Sequence, residues 1–273
     1  LQMPEACSTY GIWQVSDPGH VKQLSYRMQP DHTRVLCLAD NHDGPLVFLD
    51  YAKEQYKVKG YEPVANQNLH ALGTDVIPSM VIITLPALKP AADRLAALHK
   101  EKEGIEVAVV LHQDVVNEFS AGVDDPMAYR ALAKMIYDRD NPDKRVFKNL
   151  LLFGPNVRDH RDRLGLVPEI GTLISNQTYT ASSADYSFCL DDWYGMMDDK
   201  TAYEQTSSQY FRTVPMQIGV GIIPVVSLAD AEAVVDKITA FYDDESFAYW
   251  LSCFNYVADS PDNNEHQNWQ EEL

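Results

Sequence analysis

The sequence predicts an α/β fold in which a parallel sheet carries helices on both faces and is preceded by a small β-rich segment. Mainly apolar runs recur at Met80–Leu85, Ile105–Leu111 and Phe147–Phe153, which is typical of strands that are covered on both faces. Segments with helical spacing of apolar residues separate these runs. We therefore expect a β-rich segment over residues 1–75 and an α/β domain over residues 76–273.

The β-rich segment contains three candidate strands, at Arg34–Leu38, Leu46–Leu49 and Gln55–Val58. Turn signals separate them, because Gly, Pro, Asn and Asp favour the backbone angles of tight turns. The pattern changes to apolar strand and helix in the stretch from Gly73 to Pro78. We place the domain boundary there.

Helices are predicted in both crossovers between the three apolar runs. The first has Pro90 in its opening turn and ends at Gly104. The second opens at Asp125-Pro126. Its predicted apolar face consists of Tyr129, Leu132, Ala133, Ile136 and Tyr137. Because helical crossovers are right-handed and join parallel strands, the three strands should lie parallel in one sheet.

Periodicity is lost for about 25 residues after Gly154, which predicts a loop or lid with a function of its own. A fourth strand is predicted at Gln217–Val225, followed by a helix over Leu228–Tyr242 with Ser227 as its cap. A last strand is predicted at Cys253–Ala258.

The charge balance excludes several classes of partner. The 273 residues include 22 Lys and Arg against 40 Asp and Glu, giving a formal net charge of −18. Such a field repels phosphate backbones and anionic lipids, so we expect no nucleic-acid partner. The longest apolar runs have the length of strands, so no membrane span is predicted. The four cysteines form no CxxC pair, which argues against a zinc ribbon and favours buried thiols.

Candidate catalytic residues should lie where the strands end, since ligands of open α/β sheets bind at the carboxyl ends of the strands. His112 follows the second strand directly and is a candidate base or, as is more usual for a lone histidine, a capping or surface residue. Neither Cys189 nor Cys253 is well positioned to form a pair with it. The strand-end positions are Thr84, His112, Gly154, Ile222 and Asp259.

A dense group of carboxylates is a candidate calcium site, with Asp191 and Asp192 as the proposed ligands. The spacing is not that of an EF-hand, and a charged, solvated turn is the alternative. The group contains Asp185, Asp191, Asp192, Asp198 and Asp199. Calcium is the one cofactor that the sequence suggests. A bound dinucleotide is not expected, because Gly219-Val-Gly221 lacks the third glycine and the helix of a dinucleotide-binding loop.

Ordered sequence strings identify a family resemblance over roughly Asn66 to His266. They are Asn66–His70, Met80–Thr84, Val116–Gly122, Tyr129-Arg130, Lys134–Arg139, Leu150–Gly154, Asp191–Gly195, Val220–Val225, Glu232–Ile238 and Val257–Asp259. Through them the chain resembles the gingipain-type cysteine peptidases, most closely the PorU-type C-terminal signal peptidases (sortases) of the type IX secretion system of Bacteroidetes.

The resemblance implies a caspase-like region of two α/β subdomains, of which only the second carries the catalytic Cys and a His-Gly turn. None of the eight histidines of this chain is followed by Gly. We therefore expect a first, non-catalytic subdomain that is inactive alone, with the catalytic subdomain and a protein or peptide substrate as its partners. The resemblance further implies that the protein is secreted, periplasmic or attached to the outer membrane or cell surface.

Two departures from the family pattern keep a second interpretation open. Gly154-Pro155 stands where the family commonly has Gly-Asp, and Val220-Gly-Ile222 stands where it has Val-Gly-Arg. This chain thus lacks both the Asp and the Arg of the family pattern. If the two side chains pair in the family, the loss of both avoids leaving one charge buried and unpaired. The alternative is a degenerate peptidase fold that serves in surface binding or assembly. A third interpretation is a small-molecule enzyme that uses His112 with the carboxylates of Asp185 to Asp199.

Overall fold

The chain divides into two compact units, residues 1–65 and residues 66–273. The computed structural model describes residues 10–15, 21–28, 30, 35–37, 45–51, 60–157, 159, 162–176, 190–199, 215–242 and 252–253. The second unit begins at Asn66 rather than at the expected residue 76, because the 3-10 turn Leu69–Ala71 packs against two helices of that unit and buries Leu69 in its core.

The first unit is built from short antiparallel strands. They are β1 (Tyr10–Gln14), β2 (Lys22–Leu24), β3 (Tyr26–Met28), β4 (Val35–Cys37) and β5 (Leu46–Asp50). Strand β1 lies between β2 and β5, and β3 pairs with β4. Two of the predicted strands correspond to β4 and β5, whereas the predicted strand Gln55–Val58 lies outside the described residues.

The second unit contains a four-stranded parallel sheet. The described strands of this unit are β6 (Met80–Thr84), β7 (Val107–Leu111), β8 (Asn149–Phe153), β9 (Asn156–Val157), β10 (Leu173–Ile174) and β11 (Gly219–Ile223), of which β9 and β10 form a separate pair. The described helices of the unit are α1 (Lys89–Glu103), α2 (His112–Phe119), α3 (Pro126–Arg139) and α4 (Leu228–Phe241). The sheet order is β11-β8-β6-β7, and every pair is parallel. The predicted parallel arrangement of the first three strands is therefore confirmed.

Helices cover both faces of this sheet, as the sequence predicts. Neighbouring residues of a strand point to opposite faces, so Val81 and Ile83 join one core cluster while Ile82 joins the other. Helices α2 and α3 pack on the first face, and α1 and α4 pack on the second. The predicted burial of Leu132 and Ile136 on α3 is confirmed, because both side chains are fully buried.

Local sequence signals set the ends of these helices. The Asp125 side chain accepts a hydrogen bond from the Met127 N–H at the start of α3, and Ser227 accepts one from the Asp230 N–H at the start of α4. Such caps satisfy N–H groups that have no partner within the helix. Gly104 ends α1 with a φ of 69°, a left-handed conformation that glycine adopts without steric cost.

Two features of the second unit are not predicted by the sequence pattern. Helix α2 starts at His112 immediately after β7 and has no side-chain cap. The stretch after Gly154 is not only a loop, because β9 and β10 pair in parallel there. The predicted last strand, Cys253–Ala258, lies outside the described residues except for Cys253. Among the described residues no helix is long and apolar enough to span a membrane.

Candidate functional site

Polar and aromatic side chains gather beyond the carboxyl ends of β7 and β8. Parallel strands end at the same edge of the sheet, so His112 after β7 and Asn156 after β8 reach one region. Helix α3 and the 3-10 turn Asp191–Gly195 complete it. We call this group the carboxyl-end cluster; its members are His112, Tyr129, Asn156, Asp191 and Tyr194.

His112 uses both ring nitrogens within the protein. Its Nδ1 lies 2.7 Å from the Tyr129 hydroxyl, and its Nε2 lies 3.3 Å from Oδ1 of Asp124. Burial lowers the pKa of His112, and the charge of Asp124 offsets this shift only in part. The neutral ring therefore accepts from Tyr129 at Nδ1 and donates from Nε2 to Asp124.

Tyr129 is fully buried and connects three elements. Its hydroxyl oxygen accepts from the Ile174 N–H at 3.4 Å, while Tyr194 donates its hydroxyl hydrogen to the Ile174 carbonyl at 2.7 Å. Burial raises the pKa of Tyr129 far above its ordinary value. The phenol therefore keeps its hydrogen and serves as a structural donor.

Asp191 is the acceptor at the other side of the cluster. Its Oδ1 accepts from the Ser175 hydroxyl at 3.0 Å and the Asn176 N–H at 3.1 Å, and its Oδ2 accepts from the Asn156 amide at 2.8 Å. Burial raises the pKa of Asp191, and these three hydrogen bonds oppose that shift. Asp191 thus joins the first residue of β9 to the two residues that follow β10.

The turn Asp191–Gly195 is held in place by a buried arginine of α3. Arg130 donates from Nε to the Met196 carbonyl at 2.9 Å and forms an ion pair with Asp199 at 2.9 Å. Its guanidinium carbon lies 5.4 Å from the centre of the Trp193 ring. Only 2% of the Arg130 side chain is exposed, so these contacts compensate for burial of its charge.

A second group of contacts anchors the segment that enters the unit. Glu118 on α2 accepts from the N–H groups of Leu69 and His70 at 2.8 and 2.7 Å. Arg139 on α3 donates to the carbonyls of His70 and Leu72 at 2.8 and 2.6 Å. We call this group, made of Glu118, Arg139 and residues 69–72, the entry clasp.

The remaining strand-end candidates have structural surroundings or lie outside the described residues. Thr84 is buried and donates to the Phe153 carbonyl at 2.8 Å, so it links β6 to β8. Gly154 donates its N–H to the Ile223 carbonyl at 3.0 Å, while Ile222 is 40% exposed. Cys253 is half-buried. The other candidates, Cys189, Asp185 and Asp259, are not among the described residues.

The carboxylates of the candidate calcium site differ in their contacts and in their exposure. Asp191 accepts three hydrogen bonds, Asp192 is exposed, and Asp199 pairs with Arg130. Within the described part of the chain, no group of three or more Asp, Glu, His or Cys side chains is arranged to hold a metal ion. These contacts do not test calcium binding by Asp191 and Asp192, and both expectations, the ion site and the solvated turn, stay open to experiment.

Comparison with known proteins identifies the family. The model of peptidase family C25 matches residues 74–273. The chain belongs to peptidase family C25. Among the solved structures, this chain is similar to dimeric latent PorU from Porphyromonas gingivalis, with a TM-score of 0.70 and 28% sequence identity. No curated protein matches the chain.

The similarity to PorU supports the caspase-like fold and shows how the length of this chain compares with that of PorU. The match covers 92% of this chain but only 24% of the PorU chain. The family C25 resemblance expected from the sequence strings is therefore confirmed, as is the α/β fold. The chain spans about a quarter of the length of the solved family member.

The structure explains several of these strings by their mutual contacts. The string containing Tyr129-Arg130 meets Asp191–Gly195 through Arg130 and Trp193, and the string containing Glu118 meets Asn66–His70 in the entry clasp. The sequence pattern assigned Tyr129 to an apolar helix face and gave no role to its hydroxyl. The family strings that contain these residues were the available signal for a functional role. The hydrogen bonds between the strings depend on the tertiary fold, which the sequence pattern does not reveal.

Proposed function

We propose that this chain is the non-catalytic, amino-terminal subdomain of a gingipain-like cysteine peptidase that acts as a sortase of type IX secretion. In this role it supports the catalytic half and helps to shape the substrate cleft. The observation that carries the proposal is the coverage of the match, which extends over 92% of this chain and 24% of PorU. A piece of that size leaves room in the parent for a second subdomain.

The state of His112 supports the same conclusion. A catalytic base needs a nitrogen that can take a proton from a nucleophile or a substrate. Both nitrogens of His112 are engaged, one by Tyr129 and one by Asp124, and burial holds its pKa low. A neutral imidazole whose two nitrogens both form hydrogen bonds is suited to joining α2, α3 and the loop before α3.

The location of the protein follows from the proposed role. A sortase of type IX secretion acts on proteins that leave the cell, so we place this chain in the periplasm or at the outer membrane and cell surface. Its partners are then the catalytic half of the parent chain and a protein or peptide substrate. The net charge of −18 is consistent with a protein partner and not with nucleic acid.

A second candidate function is favoured by the exposed Ile222 and by Pro155. Ile222, at a position where the family commonly has Arg, is 40% exposed, and Pro155 offers only its carbonyl, which accepts from the Leu173 N–H at 2.7 Å. A parent that has lost both charges would be a degenerate member used for surface binding or assembly. It would lack peptidase activity as a whole.

Labelling with a peptidyl chloromethyl ketone tests both proposals. The 273-residue chain should show no stoichiometric labelling, because acyl transfer requires an activated thiolate next to a base. Iodoacetamide serves as the control for thiols that are merely accessible. Labelling of Cys189 or Cys253 that is lost in His112→Ala would contradict the proposed role. Labelling of the longer parent supports the peptidase, and its failure supports the degenerate member.

A further inference from the structure

The first unit has an exposed row of side chains on one face of its three-stranded sheet. Trp13 on β1 lies directly opposite Gln23 on β2 and Val47 on β5. Directly opposite residues of an antiparallel sheet have their side chains on the same face. Ile12, the neighbour of Trp13, points to the other face and is fully buried. On the face of Trp13, by contrast, Gln23 is exposed and Val47 is 38% exposed.

Tyr51 extends this row over the main chain of β1. A Cβ at Gly11, which lies on the same face as Trp13, would be 2.5 Å from Cζ and 2.9 Å from Cε2 of Tyr51. The tyrosine ring therefore occupies the space that a side chain at position 11 would fill. Tyr51 is nevertheless 57% exposed, so the ring contacts the sheet at Gly11 and presents much of its surface to solvent. We call Gly11, Trp13, Gln23, Val47 and Tyr51 the aromatic platform.

Hydrogen bonds assign the donors and acceptors of the aromatic platform. Trp13 donates from Nε1 to the Tyr51 hydroxyl oxygen at 3.1 Å, and Gln23 donates from Nε2 to the same oxygen at 3.5 Å. Within the part of the chain that the structure describes, the Tyr51 hydroxyl hydrogen and Oε1 of Gln23 have no partner. The platform thus offers a ligand one donor and one acceptor beside two aromatic rings.

We propose that the aromatic platform binds an uncharged glycan whose pyranose rings carry equatorial hydroxyl groups, as in a β-linked glucan. Such a ring presents a flat face of C–H bonds, which stacks on the electron-rich face of a tyrosine or tryptophan ring. Its hydroxyl groups at the rim both donate and accept, so they match Oε1 of Gln23 and the hydroxyl of Tyr51. This site is separate from the α/β unit and does not depend on the proposed peptidase role.

The charge of the first unit favours an uncharged ligand over nucleic acid. Bases also stack on exposed aromatic rings, but such sites have a positively charged surface for the phosphates. Residues 1–65 contain 6 Lys and Arg against 8 Asp and Glu, so their formal net charge is −2, and that of the whole chain is −18. Neither value supplies the attraction that phosphates require.

The hydrogen bonds favour a glycan over a proline-rich peptide, the other common ligand of exposed Trp and Tyr side chains. Proline has no N–H, so a proline-rich segment offers mainly acceptors and needs donors from its binding site. The Nε1–H of Trp13 already donates to Tyr51, and Oε1 of Gln23 would find no donor in such a segment. A glycan hydroxyl supplies that donor.

Titration of the 273-residue chain with cellohexaose tests the proposal. The indole Nε1–H signal of Trp13, assigned by NMR with Trp13→Phe, should shift and saturate, and isothermal titration calorimetry should give the same Kd. Absence of saturable binding would overturn the proposal. A shift that a decaproline peptide produces and cellohexaose does not would also overturn it, and would assign the platform to proline-rich proteins.

Three alanine variants separate binding at the platform from binding elsewhere. Tyr51→Ala removes a stacking surface and should weaken cellohexaose binding at least about 10-fold, whereas the matched control Tyr61→Ala, at a tyrosine 91% exposed, should leave the Kd unchanged. Gln23→Ala keeps both rings and should weaken binding about 5-fold through lost hydrogen bonds, which keeps the test decisive if Tyr51→Ala does not fold. A native Kd in either folded platform variant, or an equal loss in Tyr61→Ala, would contradict the proposal.

Discussion

The hydroxyl of Tyr129 and Nδ1 of His112 lie 2.7 Å apart, and this contact joins α3 to the first residue of α2. Burial raises the pKa of the phenol and lowers the pKa of the imidazole. Both shifts favour the neutral forms, so the tyrosine donates and the histidine accepts. A histidine at a strand end, which the sequence offers as a catalytic candidate, thereby becomes part of the support of the sheet.

Tyr129→Phe should destabilise the fold while leaving its packing intact. The change leaves Nδ1 of His112 without its donor and the Ile174 N–H without its acceptor. Buried polar groups without partners cost about 1–3 kcal/mol, so the free energy of unfolding in urea should fall by about that amount. Tyr137→Phe on the same helix is the control and should change it by less than about 0.5 kcal/mol. Equal effects of the two variants would contradict the assigned hydrogen bonds.

The titration of His112 should reflect its buried, neutral state. Its pKa is lowered from 6.5, mainly by burial, so the unfolded chain binds a proton that the folded chain does not. The free energy of unfolding should therefore fall as the pH drops below 6.5 toward the folded pKa. NMR of the His112 Cε1–H, assigned with His112→Gln, should give a midpoint below 6.5. A midpoint above that value would mean that Asp124 dominates over burial.

The sequence predicts those elements whose formation depends on local signals, and it misses those that depend on tertiary packing. Strands β6, β7 and β8 consist mainly of apolar residues, and α3 and α4 have Asp125 and Ser227 as caps, so local sequence signals define them. Helix α2 has no such cap and depends on burial of its side chains against α3. Local patterns do not reveal an element of that kind.

The candidate site was predictable in position but not in chemistry. Strand ends identified His112, and the acidic group identified Asp191. The partners of these residues, Tyr129 and Asn156, come from α3 and from the strand after β8, and only the tertiary fold brings them near. A solvated turn was the expected alternative to a metal site, yet Tyr194 in the same turn is fully buried.

Glu118→Gln should loosen the entry clasp. Burial alone would raise the pKa of Glu118, but the N–H groups of Leu69 and His70 and the His70 ring together lower it. Those bonds become weaker when the acceptor loses its charge, which should lower the free energy of unfolding by about 1–3 kcal/mol. Exchange of the Leu69 and His70 amides should accelerate, and Glu101→Gln is the exposed control. Unchanged exchange would show that the charge does not hold the segment.

Gly195→Ala should destabilise the contact between the 3-10 turn and β11. A Cβ at Gly195 would lie 2.5 Å from the Ile218 carbonyl oxygen, and a main-chain atom next to a sheet strand cannot move away easily. Overpacking of this kind costs about 1–3 kcal/mol. Gly221→Ala is the matched control, since its Cβ would meet only the Leu151 side chain, at 3.4 Å. Thermal unfolding of the two variants measures the difference, and equal melting temperatures would contradict the close approach.

Calcium should leave the stability of the chain unchanged. A calcium ion takes six to eight oxygen ligands at about 2.3–2.6 Å, whereas both oxygens of Asp191 already accept hydrogen bonds from Asn156, Ser175 and Asn176. Binding would have to compete with these bonds, and Asp192 is the exposed neighbour that would remain as a ligand. The melting temperature should therefore be the same in chelator and in several millimolar calcium, with magnesium as the control ion. A rise with calcium that magnesium does not reproduce, and that is lost in Asp192→Asn, would instead establish the predicted ion site by mass action.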